Sequence, residues 1–292
     1  MTRQELTAYI ESILPADREA MDAARRRQAE LAKPPGSLGA LEDMSIRLAG
    51  IRRTPRPRID RCRVTVLAAD NGVVAEGVSC APQSVTVQQA VNMTRHKTGM
   101  SALAAYFGDQ VQVVDVGICV PVSCPQVLDR KVRFSTGDIA AEPAMTEQEA
   151  LRALSVGLDL AHMAKEEGID AVGVGEMGIG NTTSTAAIVS AFTGLAPELT
   201  VGRGTGINDE RMKVKRQVVA DGLALNKPEL GNAMDILCKV GGYDHAGLAG
   251  MIIEGARRRV PTMVDGVNAT AAALLAYGIE PACADYMFCS HL

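Results

Sequence analysis

The sequence predicts an α/β fold, a parallel sheet flanked by helices with a helical segment ahead of it. Three observations carry this. Short, almost unbroken apolar runs recur at Cys62–Ala69, 111–116, 169–174 and 260–264, the pattern of strands buried on both faces. Helical stretches separate them, and strand–helix–strand alternation argues for parallel strands joined by right-handed crossovers. The first ~60 residues lack such runs and read as helices.

The elements follow in order. Residues 17–33 read as a helix with Asp17 as N-cap, stopped by Lys33-Pro34-Pro35-Gly36, because proline removes a donor and blocks helical geometry. Ser37 is the cap of a second helix that runs to about Arg53, and residues 54–60, rich in Pro and Arg, form a stiff linker. The boundary therefore falls between a helical segment at 1–60 and a parallel α/β domain at 61–292. Weaker strand candidates lie at 199–201 and 286–289. Helices are expected near 85–107, 146–167, 181–193, 208–225, 231–239, 244–258 and 267–277.

Composition excludes several classes. The chain has 292 residues, 30 Lys+Arg against 34 Asp+Glu, and 47% apolar residues, too apolar for a disordered chain. Five Tyr, four Phe and no Trp, with a weakly acidic balance, argue against nucleic acid as a partner. Short cationic runs at 25–27, 52–58 and 257–259 read as solvated helix and linker faces. No apolar run reaches the ~18 residues of a membrane span, and the polar N-terminus lacks a signal peptide's core. A cytoplasmic location is expected. Seven cysteines without a CxxC pair, and four histidines without metal spacing, predict reduced thiols packed as small hydrophobes and no metal site.

The chemistry is expected where strands end. Those ends carry Asp70-Asn71-Gly72, Asp115 with Gly117, Gly175-Glu176-Met177-Gly178, Gly202 to Gly206, Asp265-Gly266 and Ser290-His291. Ligands of open parallel sheets bind outside the carboxyl ends of the strands. In the segment 173–185, glycines let backbone approach a ligand, and Asn181, Thr182 and Thr183 can cap the next helix. Together they can hold a phosphate or carboxylate. A close strand–helix turn explains the same residues. No Gly-Lys-Ser/Thr follows, so this is not a P-loop.

The turn Gly202-Arg-Gly-Thr-Gly206 precedes a helix carrying Lys213 and Lys215, and the two loops could share one phosphate. A tight turn with solvated lysines fits equally. Glu176 can orient a sugar hydroxyl, act as a general base or pair with a nearby cation. Gln88, Gln89 and Asn92 can reach a neutral aromatic ligand or simply be solvated. His96, His162 and His245 fall in helical stretches and read as structural, which leaves His291 alone near the site.

Seven motifs now stand in order: Lys33-Pro-Pro-Gly-Ser-Leu-Gly39, Ala69-Asp-Asn-Gly-Val73, Asn92-Met-Thr-Arg95, Gly175-Glu-Met-Gly-Ile-Gly-Asn-Thr-Thr183, Gly202-Arg-Gly-Thr-Gly206, Val240-Gly-Gly-Tyr243 and Val264-Asp-Gly266. In order and spacing they resemble the nicotinate-nucleotide–dimethylbenzimidazole phosphoribosyltransferase family of cobalamin biosynthesis, from about residue 15 onward. The resemblance implies a Rossmann-like sheet domain with a small helical domain, a homodimer, and no metal or cofactor. The implied substrates are nicotinate mononucleotide and 5,6-dimethylbenzimidazole. The implied products are α-ribazole 5′-phosphate and nicotinate, with inversion at the anomeric carbon.

Residue by residue, the resemblance and the pattern give these expectations. Gly178, Gly180, Asn181, Thr182, Thr183, Gly202, Gly204, Gly206, Lys215 and Ser290 bind phosphate and ribose. Asp70, Gln89, Met177 and Asp265 bind the base, and Glu176 supplies a supporting carboxylate. Asn71 stands where the family often has His. The family's catalytic glutamate belongs to an Arg-Leu-Gly-Glu-Gly-x-Gly motif beyond Leu292, as do the C-terminal helices of the small domain. The expectation is an incomplete helical domain and poor turnover by these 292 residues alone. A non-catalytic partner subunit of a heteromeric enzyme, or an inactive truncated homologue, is the alternative.

Overall fold

The computed structural model describes residues 1–291. Six strands form one parallel sheet: β1 (Cys62–Ala69), β2 (Gln110–Gly117), β3 (Val127–Asp129), β4 (Ala171–Met177), β5 (Thr262–Val264) and β6 (Met287–Cys289). Their order is β3-β2-β1-β4-β5-β6. The chain starts in the middle, runs outward through β2 and β3, and returns to lay β4 on the other side of β1. The direction of winding therefore reverses between β1 and β4. Loops leaving those two strands diverge to opposite faces, which opens a crevice at their carboxyl ends.

Twelve α-helices surround the sheet among the described residues: α1 (Arg3–Ile10), α2 (Arg18–Glu30), α3 (Ala40–Arg52), α4 (Ser84–Thr94), α5 (Gly99–Phe107), α6 (Glu147–Glu166), α7 (Asn181–Thr193), α8 (Pro197–Thr200), α9 (Asp209–Asn226), α10 (Ala233–Val240), α11 (Tyr243–Arg257) and α12 (Val267–Ile279). Asp17 caps α2 as expected, accepting from the Ala20 N–H at 2.9 Å.

Four expectations change. Helix 85–107 is two helices, because His96 takes φ 55° and Thr98 starts α5 with a reciprocal cap to Ser101. Residues 199–201 do not form a strand: Pro197 opens α8, whose last residue is Thr200. Ser37 does not cap α3, which begins only after Gly39 at φ 56°. The cysteines are less uniformly packed than composition suggested: Cys124 and Cys283 are buried, whereas Cys80 and Cys289 are exposed.

Helix α1 and strand β3 carry too little pattern to be seen in sequence. The first is held by tertiary contacts. Leu6 is buried in the main core, and Tyr9 donates its hydroxyl to the enclosed Glu254 of α11 at 2.6 Å. Arg257 grips the same carboxylate at 2.6 and 2.9 Å.

Helix α11 is buried along Tyr243–Ala256 and packs along α6. Small residues set that approach. A Cβ on Gly250 would fall against the Leu154 carbonyl oxygen, and one on Gly157 against the Gly247 carbonyl oxygen, both well inside contact distance. Backbone cannot yield as a side-chain tip can. Gly250→Ala is expected to cost about 1–3 kcal/mol through overpacking. That corresponds to a fall in Tm of several degrees for a domain of this size, measured by thermal melting.

Candidate active site

The switch point gathers the glycine-rich loops. A cavity of about 390 Å³ opens there, lined by Ser79, Gly178, Asn181, Thr182, Gly202, Gly204 and Thr205 among others. Helix α7 points its first turn at it. No side chain caps α7, contrary to expectation. Gly180 takes the N-cap position at φ 94°, a conformation L side chains resist, and Val74 crowds the place a Cβ would fill at 2.5 Å. This frees Thr182 to line the cavity and turns Asn181 inward.

Lys215 on α9 provides the charge. It is 1% exposed. Its ammonium donates to Thr182 Oγ1 at 2.7 Å and to the Gly202 carbonyl at 3.2 Å. No carboxylate of the described residues pairs with it, and burial pulls its pKa down to about 8. A lone cation so enclosed is costly unless an anion joins it. Gly204, at φ 52°, keeps the space open: a Cβ there would stand 2.6 Å from Thr182 Oγ1 and 3.1 Å from Lys215 Nζ. Lys213 is exposed, so the solvated-lysine reading fits it and not Lys215. Gly206 shapes the same turn at φ 93°.

Behind the cavity lies a buried polar ring, built of hydrogen bonds and closed by the Asp244–His245 ion pair. Asn268 Nδ2 donates to Glu176 Oε1 at 2.8 Å and to Asn181 Oδ1 at 3.2 Å. Asn181 Nδ2 donates to Glu176 Oε2 and, at 2.9 Å, to Asp244 Oδ2. Asp244 Oδ1 faces His245 Nδ1 at 3.1 Å. His245 Nε2 meets Thr185 Oγ1 at 2.8 Å, and Thr185 donates onward to Asn268 Oδ1 at 2.6 Å. Since the Thr185 proton is spent on Asn268, its oxygen accepts from His245, which puts a proton on Nε2.

The ring sets the charges. Burial works against the charged forms of Asp244 and His245, but their mutual attraction outweighs it. Asp244 is held below its ordinary range and His245 above its own. Glu176 goes the other way. Burial first and the Asp244 charge second raise its pKa, against the pull of the two asparagine donors. His245 is therefore expected to keep its proton above the ordinary 6.5. An imidazole NMR titration checks this, and in Asp244→Asn the midpoint should fall.

Glu176 also lines a second, more apolar cavity of about 530 Å³, with Met93, Met100, Phe107, Met263, Asp265 and Ser290. Its carboxylate is linked to the Lys215 cavity through Asn181, which lines that cavity and donates to Glu176. Gln89 lies one turn before Met93 on α4, half-buried, with no side-chain hydrogen bond among the described residues. Met177 packs beside α4 against the cluster of Ala68, Ala90 and Ile118.

The structure does not bring every expected residue to the cavity. Asp70 is fully enclosed. Its oxygens accept from Thr86 Oγ1 at 2.6 Å and the Cys119 N–H at 2.9 Å, and Thr86 in turn accepts from the Ile179 N–H at 3.1 Å. It braces the 178–180 loop and does not reach the cavity. Thr183 is buried beneath that loop. Ser290 sits on the apolar side of Glu176, bonded to His291 at 2.7 Å and Asp265 at 3.4 Å, away from the Lys215 cavity. Asn71 is buried and accepts from Ser184 at 3.2 Å.

Sequence reading missed Asp244, His245, Thr185 and Asn268. His245 is helical but no mere packing residue, and His96 is not helical at all. The available signal was Asp244-His245 opening a helix whose next eight residues are all apolar or glycine, a place where an ionisable pair needs partners.

Comparisons with known proteins agree with this architecture. A phosphoribosyltransferase family model, DBI_PRT, matches residues 13–292. The nicotinate-nucleotide–dimethylbenzimidazole phosphoribosyltransferase of Chloroflexus aggregans is 44% identical over 287 residues, 98% of this chain and 81% of that relative. The enzyme of the same name from Geobacter sulfurreducens is 45% identical over 287 residues, 98% of this chain and 82% of its own. The crystal structure of CobT from Thermus thermophilus superposes with a TM-score of 0.90 at 42% identity, covering 94% of this chain and 82% of that one. With matches of this extent to both sequence and fold, the chain belongs to the nicotinate-nucleotide–dimethylbenzimidazole phosphoribosyltransferase family.

Proposed function

We propose that the protein transfers the phosphoribosyl group of nicotinate mononucleotide to 5,6-dimethylbenzimidazole, giving α-ribazole 5′-phosphate and nicotinate. The observation that carries this reading is Lys215, a buried cation without an anion, set among glycine turns at a switch point. The 5′-phosphate completes its pairing, and Thr182 and the turns at 178–182 and 202–205 surround it. Glu176 then lies near the anomeric carbon. As the bond to the nicotinate ring nitrogen breaks, its electron pair leaves with that nitrogen and positive charge grows on the ribosyl centre. A carboxylate fixed by Asn181 and Asn268 stabilises that charge without reorganising. The azole nitrogen attacks from the opposite face, and its N–H proton passes to water. The apolar side of Glu176, with Met93 and Gln89 of α4, suits a neutral bicyclic ring. Holding both substrates in line supplies much of the rate.

The relatives' names favour this catalytic reading and lend nothing to a partner-subunit role. The proposal includes the homodimer that the resemblance implies and the cytoplasmic setting expected from the sequence, and sedimentation analysis tests the dimer. Among the described residues no helix is long and apolar enough to cross a membrane. The activity test is incubation with both substrates and mass-spectrometric detection of products. Nicotinate and α-ribazole 5′-phosphate in equal amounts support the reading, and nicotinate release without the ribazole product contradicts it.

A further inference from the structure

The cationic runs at 52–58 and 257–259 converge, although some 200 residues separate them. They meet at the amino-terminal ends of β1, β4 and β5, the edge of the sheet opposite the switch point. There a cavity of about 590 Å³ is walled by Arg52, Arg56, Arg58, Lys165, Arg258 and Arg259, with Asp60 and Asp170 as the only lining carboxylates.

The carboxylates are already committed. Asp170 pairs with Arg52 at 2.7 Å and accepts the Asp60 and Arg61 N–H groups at 3.1 Å each. Asp60 pairs with Arg58 at 3.1 Å. Glu166, outside the wall, takes Arg258. Three cations remain. Arg259 donates to the carbonyls of Ile51 and Gly50 at 2.8 Å each, which fixes its position and leaves its charge unopposed. Arg56 and Lys165 have no ion-pair partner among the described residues. Arg258 Nε is buried without an acceptor. Burial and the nearby Arg52 and Arg258 press Lys165 toward its neutral form. Like charges thus stand together around open space, with Arg259 anchored by its carbonyl bonds and Arg56 exposed on the linker.

We propose that this cavity is a second anion site, separate from the nucleotide cavity, that binds a short polyphosphate group. Three unopposed cations match a di- or triphosphate better than a monovalent anion, and the volume falls in the range of small-ligand sites. The lining includes no aromatic ring, so nothing there stacks a nucleobase.

The test is calorimetric titration of the whole chain with inorganic triphosphate. It is done in Lys215→Met, so that the other anion cavity lacks its charge. Saturable binding that weakens with added salt is expected. Adding Arg56→Glu and Lys165→Glu should weaken it at least tenfold. Adenosine triphosphate should bind no more tightly than inorganic triphosphate. Absence of binding, an unchanged affinity in the charge-reversed variant, or a clear preference for the nucleotide overturns the proposal. Hydrogen exchange of the unsubstituted protein guards against misfolding of the variant. Triphosphate should protect residues 50–60 and 165–170, and protection confined to 178–215 overturns the assignment.

Discussion

Lys215→Met is expected to weaken binding of nicotinate mononucleotide by roughly 10- to 150-fold. The basis is the loss of one buried charge-assisted contact, about 1.5–3 kcal/mol. Calorimetric titration reads it directly. The pH dependence gives a second handle. In the free protein Lys215 loses its proton near pH 8, so affinity should fall above that value, and the fall should vanish in the methionine variant. Stability moves in the opposite sense. The folded-state pKa lies below the ordinary 10.5, so between about 8 and 10.5 the unfolded chain holds the proton more tightly. Stability from this group therefore rises with pH across that window. Methionine removes the burial cost, so its Tm should hold or increase while binding is lost. A weakened nucleotide affinity accompanied by a large fall in Tm would mean that Lys215 is mainly structural.

Glu176→Gln is expected to lower kcat by about 10²- to 10³-fold, the usual consequence of removing one preorganised electrostatic group from a transition state. The KM for the nucleotide should change little, because the carboxylate faces the reacting centre and not the phosphate. Burial and Asp244 raise the Glu176 pKa, so kcat should fall with acid at a pH above the ordinary carboxylate range. Glutamine should flatten that limb. Asn268→Ala removes a donor that favours the carboxylate, and should move the limb to higher pH. If the limb stays in place in both variants, the titration belongs to another group.

Much of the fold was legible because it rests on local pattern. β1 was readable to the residue, since it is mostly apolar and a proline-rich linker precedes it. Helices α6, α9 and α12 were readable from periodicity and their flanking turn residues. What escaped was decided by tertiary contact. Strand β3 has three residues and exists by pairing with β2. Helix α1 is polar and is held through Leu6 and Tyr9.

The site divides the same way. Glu176 and the glycines after β4 stood out because strand ends in a parallel sheet concentrate function, whereas the Gly202–Gly206 turn and Lys215 stood out by glycine spacing ahead of a lysine-bearing helix. The ring beneath them did not, because Asp244-His245, Thr185 and Asn268 come from three helices that only the fold brings together. Asp70 and Ser290 occupy the expected strand ends, yet one faces inward and the other lies beyond Glu176. Sequence gives a residue's place along a strand end, and packing decides which way its side chain turns.

The central claim is that the Lys215 cavity holds the nucleotide's phosphate and presents its ribose to Glu176. A crystal structure with bound nicotinate mononucleotide tests it most directly. The phosphate is predicted within hydrogen-bond distance of Lys215 Nζ and Thr182 Oγ1, with the ribose toward Glu176. A phosphate bound elsewhere, with the Lys215–Thr182 contact left unvisited, would contradict the account.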